Sequence, residues 1–476
     1  MNFVFLFTDQ QRAESLSCYG HPLIKTPNYD RLASQGVRFE QCHTQSVLCG
    51  PSRCAVLTGL YPHVSGHRTL WNLLKPNEPN LFTYLKQAGY HIEGYGKNDV
   101  FTADTAAGCM DVFKMNKGGN SGKNPYKLTD DEYYSFLYEP FPGTVCQTAD
   151  AQCIQSGIDF LKSRKRGDAP FMLYLPIVLP HPPYGPPQPY YGMYRPEDVP
   201  SLRPVNDGVD MPLFRRHMRE YRRLNKLPDE FFRKINAVYL GMNSYVDWLL
   251  GNLLDTLDNS GLADDTVFIL ASDHGDFAGD YGLVEKIHNE SYDVLTRVPL
   301  LIRAPGCSKG HAVKAQVELL DLFATIMDFA GIEASHTHFS KSLKREVFGY
   351  EGEMGRAAYC ENGFNEWEKH CFEGSNRVET HLWDENFIYY PQTRQFHEHP
   401  ASVCRTVTMR TDDYKLARRP ADVDELYDLK NDPYETVNVY KKPEYNDIRA
   451  DLNEKLLNWL IVTSDVVPFR HDSRQL

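Results

Sequence analysis

The sequence predicts an α/β protein: a mostly parallel sheet covered by helices on both faces, with a smaller α+β domain at the C-terminal end. Three observations lead there. Short, continuously apolar runs have the length and composition of buried parallel strands, and each ends on a polar residue that packing does not require. Amphipathic helical stretches separate these runs. Past about residue 335 the pattern gives way to short strand-like pieces and one closing helix.

The strand runs are Phe3 to Thr8, leading to Asp9; His91 to Tyr95, leading to Lys97; Phe171 to Leu179, leading to His181; and Thr266 to Ser272, leading to Asp273 and His274. Open α/β sheets place ligands beyond the carboxyl ends of their strands, so four strand ends deliver side chains to one crevice. Ile235, Val238, Tyr239, Met242, Tyr245, Val246, Leu249, Leu250, Leu253 and Leu254 recur at helix spacing and mark a core-facing stripe. Asn28 to Gly36 and Leu81 to Gly89 read as further helices, each closed by a glycine expected in the left-handed cap conformation. A helix around Leu319 to Ala330 is followed by a polar, aperiodic stretch from Ser335 to Gly355, which sets the boundary between domains 1–345 and 346–476. The second domain carries strand-like Thr406 to Arg410 and Tyr414 to Ala417, a turn at Leu429 to Pro433, and a helix from Tyr445 to Leu460.

Composition narrows the function. Against 51 Lys+Arg stand 63 Asp+Glu, a net charge of -12 that disfavours nucleic acid. The N-terminus, Met1 and Asn2 followed by Phe3-Val4-Phe5-Leu6-Phe7, has no basic leader and reads as a core strand. No membrane contact and a cytoplasmic location are expected. The 11 cysteines show neither a disulfide framework nor paired zinc ligands, which fits free thiols in a reducing compartment.

The strongest local signal is Leu48-Cys49-Gly50-Pro51-Ser52-Arg53-Cys54-Ala55-Val56-Leu57-Thr58-Gly59. Pro51 suits a first helical turn, which places Cys49 just before a helix N-terminus on an exposed loop, where free N–H groups favour an anion. Arg53 adds positive charge. From chemistry alone Cys49 is either a thiolate nucleophile with a lowered pKa or a packed cysteine in a helix-start turn. The Cys-to-Arg spacing is too short for the loop of a cysteine phosphatase.

The C-x-P-S-R segment with its T-G ending resembles the signature of the sulfatase family, in the alkaline-phosphatase-like superfamily. Thr8-Asp9-Gln10, Ser17 to Gly20, Thr26-Pro27-Asn28, Gly96-Lys97, Pro180-His181, Ser272 to Asp276, Lys286 before Tyr292-Asp293, Arg297 to Leu300 and Glu425 to Leu429 follow in the family's order. The resemblance spans nearly the whole chain. It implies an alkaline-phosphatase-like fold, a catalytic first domain, and a C-terminal domain that contributes to the substrate pocket. It also implies a sulfatase in which Cys49, oxidised to formylglycine by a maturation enzyme, is the nucleophile and a metal ligand. Asp9, Asp273 and His274 match the family's ligand positions for one divalent cation, with Gln10 as a further ligand. Calcium is the family's usual ion. Gln10 replaces a frequent second aspartate, and with His274 this brings the set closer to phosphonate monoester hydrolase and choline-sulfatase-like branches, where manganese or magnesium also serve. Arg53 and Lys97 would stabilise the nucleophile and the sulfate; His181 and Lys286 would bind the sulfate and protonate the leaving alcohol. Where the family often has a histidine, this chain has Asn98 and Asp99, and Asp99 either takes over its base role or caps the next turn.

Within the stretch Tyr389 to Arg405, Arg394, His397 and His399 are candidate substrate-binding residues near the pocket mouth, with a polar surface loop as the plainer reading. The expected substrate is a small sulfated mono- or disaccharide. A phosphonate or phosphate monoester, or an unmodified, non-catalytic anion-binding protein, are the alternatives, and the oligomeric state is left open.

Overall fold

Asn2–Asp9 (β1) forms the middle of the main sheet, and its apolar run explains why: Phe3 to Phe7 are all fully buried. The computed structural model describes residues 1–115, 118–206, 208, 210–375 and 379–469. Beside β1 lie Val37–His43 (β2), His91–Tyr95 (β3), Val112–Lys114 (β4), Phe171–Pro180 (β5), Thr266–Ser272 (β6), Arg297–Val298 (β7), Leu300–Arg303 (β8) and His311–Glu318 (β9). The strand order is β4-β3-β5-β1-β6-β8-β2-β7, with β9 also pairing β2. β1 runs parallel to both neighbours, Phe5 lying opposite Tyr174 of β5 and Ile269 of β6. β8 runs antiparallel between β6 and β2, so the sheet is mixed but mostly parallel.

Both faces of β1 are covered, as a period of two requires. Val4 and Leu6 pack with Ile154 and Ile158 of the Ala149–Ser163 helix and with Met242 and Leu249 of the Asp229–Asn259 helix. Phe3, Phe5 and Phe7 pack on the other side with Val56, Leu81 and Phe323, from three further helices. Each fully buried phenylalanine contributes roughly 1.5–3 kcal/mol relative to exposure.

The smaller sheet is antiparallel, ordered Ala358–Asn362 (β10), Thr406–Arg410 (β11), Tyr414–Arg418 (β12) and Glu425–Asp428 (β13). The Asn446–Thr463 helix packs Leu452, Leu456 and Trp459 against Met409, Leu416 and Leu426. Trp459 stacks on Tyr359 at 4.4 Å and meets the edge of Tyr61 at 4.9 Å, which ties this sheet to the larger one. Among the described residues no helix is long and apolar enough to cross a membrane.

The four strand runs and the long helical stripe appear where the sequence puts them. Gly36 is a correction: it closes the Pro27–Gln35 helix at φ -130°, not in the left-handed region. A Cβ there would stand 2.5 Å from the Ile302 carbonyl oxygen, so contact with β8 requires the glycine. Gly89 does take the left-handed conformation, at φ 87°. β2 escapes the apolar-run criterion because Arg38, Glu40 and Gln41 are only half-buried.

Candidate active site

Four neighbouring strands, β3, β5, β1 and β6, end at the same edge of the sheet. Asp9 closes β1, Asp273 and His274 follow β6, His181 follows β5, and Lys97 stands two residues past β3. Gly96 between β3 and Lys97 has φ 142°, and a Cβ on it would lie 2.1 Å from the Pro176 carbonyl oxygen. The glycine lets the Lys97 N–H donate to that oxygen at 2.7 Å and directs the chain over the sheet edge.

Cys49 is the first residue of the Cys49–Thr58 helix, with Leu48 as its extended cap, and is only 3% exposed. This corrects two expectations: the residue lies within the first turn rather than before it, and it is buried rather than on an exposed loop. The whole helix is enclosed between the sheet and other helices, so its N-terminus opens only onto the site. Ser52 in the first turn donates to the Asp273 carbonyl oxygen at 2.8 Å and so joins the helix to the end of β6.

Ligand atoms of Asp9, Cys49, Asp273 and His274 all lie within 4.8 Å of one another. Cys49 Sγ is 3.2 Å from His274 Nε2 and 3.6 Å from Asp9 Oδ1. His274 Nδ1 donates to the Gly275 carbonyl oxygen at 3.0 Å, so the neutral ring turns a bare Nε2 lone pair toward the two carboxylates. Burial lowers the pKa of His274, keeping that ring neutral. Two carboxylates, a fixed imidazole lone pair and residue 49 form a donor set that fits one divalent cation.

Cations surround this set. Arg53, fully buried, donates from Nε to Asp273 Oδ2 at 2.8 Å and from Nη2 to Asp9 Oδ2 at 3.1 Å. Lys97 Nζ donates to Asp9 Oδ2 at 2.7 Å and approaches Cys49 Sγ at 3.5 Å. Burial opposes ionisation of Asp9, but the Lys97 and Arg53 cations outweigh it and hold the carboxyl well below the usual range. For Cys49, burial and then Asp9 push the thiol well up, so the surrounding side chains do not make it a thiolate. The low-pKa thiolate reading is thereby corrected.

The remaining expected residues divide. Lys286 Nζ lies 3.4 Å from His181 Nε2 and donates to Glu285 Oε1 at 2.6 Å. Burial and then Lys286 press the pKa of His181 down to about 3, whereas Lys286 is raised well above its ordinary value because the adjoining Glu285 carboxylate opposes the effect of burial. Asp99 forms an ion pair with Lys97 at 2.7 Å; the turn is closed instead by Asn98, which accepts from the N–H groups of Val100 and Phe101. Gln10 lies beside the site with its side chain hydrogen-bonded: its carbonyl oxygen accepts from Lys286 at 3.2 Å and its amide donates to Asp276 at 2.6 Å.

A cavity of about 300 Å³ opens above Cys49, with Trp71, Lys97, Asp99, His181 and Lys286 on one side. The far wall comes from Glu373, Glu379, His381, Phe387, Tyr389 and Gln392. Arg394, His397 and His399 do not line it, which corrects their assignment to substrate. Arg394 pairs with Glu398 at 2.7 Å in solvent, His397 binds the Glu373 carbonyl oxygen at 2.9 Å, and His399 stacks on His217 at 4.2 Å. Arg394 and His397 sit on the Tyr390–Glu398 helix and His399 directly follows it, and none of the three lines the cavity that Tyr389 and Gln392 reach.

The sequence motif from Ser272 to Asp276 gives Asp276 no role of its own, yet its Oδ1 accepts from Tyr184 at 2.7 Å; Glu285, absent from the motifs, donates its N–H to the same hydroxyl at 2.9 Å. Asp276 lies three residues beyond Asp273 and was within reach of the strand-end argument; Glu285 had only its adjacency to Lys286 as a signal.

The family model described as Sulfatase matches residues 1–332, and that described as N-sulphoglucosamine sulphohydrolase, C-terminal, matches residues 375–461. The multifunctional alkaline phosphatase superfamily protein PehA of Trinickia caryophylli is 28% identical, over 98% of this chain and 96% of the relative. The N-acetylglucosamine-6-O-sulfatase of Bacteroides thetaiotaomicron is 26% identical, over 96% of this chain and 85% of the relative. In fold the chain is similar to the phosphonate monoester hydrolase of Agrobacterium radiobacter, with TM-score 0.75 and 24% identity over 97% of this chain and 96% of that one.

Proposed function

This chain belongs to the sulfatase family of sulfuric ester hydrolases, and on that premise we propose that it hydrolyses the sulfate monoester of a small sulfated carbohydrate, using formylglycine made from Cys49 by a maturation enzyme. The observation that carries the reading is the convergence of Asp9, Asp273, His274 and Cys49 within 4.8 Å, at a helix N-terminus flanked by Arg53 and Lys97.

Asp9, residue 49, Asp273 and His274 would hold one divalent cation, calcium by family habit or else manganese or magnesium. Such an ion supplies a Lewis acid that polarises a sulfate oxygen. Formylglycine supplies, as its hydrate, the oxygen that attacks sulfur. Arg53 and Lys97 place fixed positive charge beside the nucleophile and the sulfate, in a site that needs no reorganisation as charge develops. Lys286, held protonated, and His181 bind the sulfate from the opposite side, and Lys286 gives its proton to the departing alcohol oxygen. Asp99, placed on the cavity wall beside Lys97, accepts the proton that leaves residue 49 in resolving the covalent stage.

Residues 1–345 constitute the catalytic domain and 346–476 the smaller one that walls the cavity; the change from the large to the small sheet between β9 and β10 supports that division. Cys42, Cys54, Cys307 and Cys360 are buried and unbridged, which supports a reducing, cytoplasmic setting.

The rival substrates are phosphonate and phosphate monoesters, which present a similar tetrahedral anion to the same cations. Parallel kinetics on 4-nitrophenyl sulfate, 4-nitrophenyl phosphate and a phenylphosphonate ester separate them. The highest kcat/KM is expected on the sulfate; a preference for the phosphonate would overturn the reading.

A further inference from the structure

Away from the reacting centre, the cavity wall carries a chain of buried polar groups that the sulfate chemistry does not use. Arg222 donates to Gln392 Oε1 at 3.0 Å, Gln392 Nε2 donates to Glu373 Oε2 at 2.9 Å, and His288 Nε2 lies 2.9 Å from Glu373 Oε1. Each link uses a different atom, so Glu373 is pinned from both sides and the His288 ring is oriented by it. Phe396, edge-on to the imidazole at 4.7 Å, closes its apolar side.

The consequence lies at the other ring nitrogen. His288 is 3% exposed and lines the cavity, yet its Nδ1 has no partner among the described residues. A carboxylate only accepts, so Nε2 carries a proton toward Glu373 and Nδ1 is the ring atom left facing the cavity. A buried polar atom left unpaired is costly, and a ligand hydroxyl, which can either donate or accept, recovers the loss. Glu379 repeats the pattern on the same wall: its Oε2 is buried without a partner.

The charges point the same way. Lys97 and Lys286 belong to the reacting centre, paired at 2.7 Å with Asp9 and at 2.6 Å with Glu285. Beyond them the described wall offers Glu373, Glu379, imidazoles and a phenol, and no further lysine or arginine.

We propose that His288 Nδ1 and Glu379 are specificity determinants for the leaving alcohol, the imidazole nitrogen pairing with a hydroxyl and the carboxylate with a hydroxyl or ammonium group, selecting a neutral or amino sugar over one bearing a carboxylate. Glu373 is the positioning residue that fixes the imidazole. The inference rests on the sulfate-ester reading above and deepens it.

The test compares 4-(aminomethyl)phenyl sulfate with 4-carboxyphenyl sulfate, while 4-nitrophenyl sulfate reports sulfate-ester hydrolysis by itself. Turnover of the ammonium ester is expected to exceed that of the carboxylate ester by about tenfold in kcat/KM, mainly through KM, the scale of one poorly screened like-charge contact. Glu379→Gln, at a half-buried position, should narrow the ratio, and Glu373→Gln should raise KM for the ammonium ester more than it lowers kcat. Equal turnover of the two esters, or preference for the carboxylate, with 4-nitrophenyl sulfate still hydrolysed, overturns the proposal and leaves the sulfatase reading standing. An unchanged ratio in Glu379→Gln also overturns it. Failure to hydrolyse any of the three sulfates overturns the reading and this proposal with it.

Discussion

His274 Nε2 lies 3.2 Å from Cys49 Sγ, on the side of the imidazole opposite the hydrogen bond from Nδ1 to the Gly275 carbonyl oxygen. That bond decides which nitrogen is bare, and the bare one faces Asp9 and Asp273 at 3.9 and 3.7 Å. In the proposed metal site, the imidazole would thereby be prepared as a ligand before any ion arrives.

Metal removal should therefore abolish turnover. Elemental analysis of the active protein is expected to give one divalent ion per chain. His274→Ala should weaken ion binding by more than the roughly 10–100-fold that loss of an outer-shell partner costs, since it deletes a pre-oriented donor itself. An active protein free of divalent ions after chelation would contradict the ligand set.

Lys286 should matter most when the leaving group is poor. Lys286→Ala is expected to lower kcat on an alkyl or sugar sulfate by roughly 10²–10⁴, the range of general acid catalysis, and to cost less on 4-nitrophenyl sulfate, whose phenolate needs no proton. Equal losses on both substrates would leave Lys286 a sulfate-binding group only.

A pH effect on stability is expected away from the site. Asp247 in the Asp229–Asn259 helix accepts from the N–H groups of Asn28 and Tyr29 at 2.8 and 2.9 Å, and so caps the Pro27–Gln35 helix. Burial pushes its pKa up to about 6, against the N–H bonds that lower it. A raised carboxyl pKa favours the fold below the unfolded value and loses that advantage as pH rises through about 6. Asp247→Asn does not titrate, so its stability relative to wild type should improve by ~2–3 kcal/mol between pH 4 and pH 7. A pH-independent difference in urea midpoints would refute the shift.

Cys49→Ala should cost turnover on the order of 10⁶, the scale seen when a covalent nucleophile is lost. Folding should survive. The substitution removes one sulfur atom from a buried position, a loss of about 1 kcal/mol, and thermal unfolding should show little change.

The strand ends were legible because a strand buried on both faces is written as a continuous apolar run, and the first polar residue after it marks the crevice. Asp9, Lys97, His181, Asp273 and His274 were all found by that rule. His288, Glu373 and Gln392 come from separate segments and meet only in the folded chain, so no local pattern announces them. Arg394, His397 and His399 were misplaced for a related reason. Residue type suggested anion binding, but the phase of their helix turns Gln392, Thr393 and Gln395 inward and leaves Arg394 to pair with Glu398 outside. β2 was missed because its half-buried polar residues break the run.

The central claim is that residue 49 acts as formylglycine, and it is tested most directly by peptide mass spectrometry of the Cys49 segment on preparations made with and without a maturation enzyme, each assayed for sulfate release. The account predicts that activity rises in proportion to the fraction of chains carrying the mass loss of thiol-to-aldehyde conversion. Full activity in a preparation whose Cys49 is wholly unmodified would contradict it.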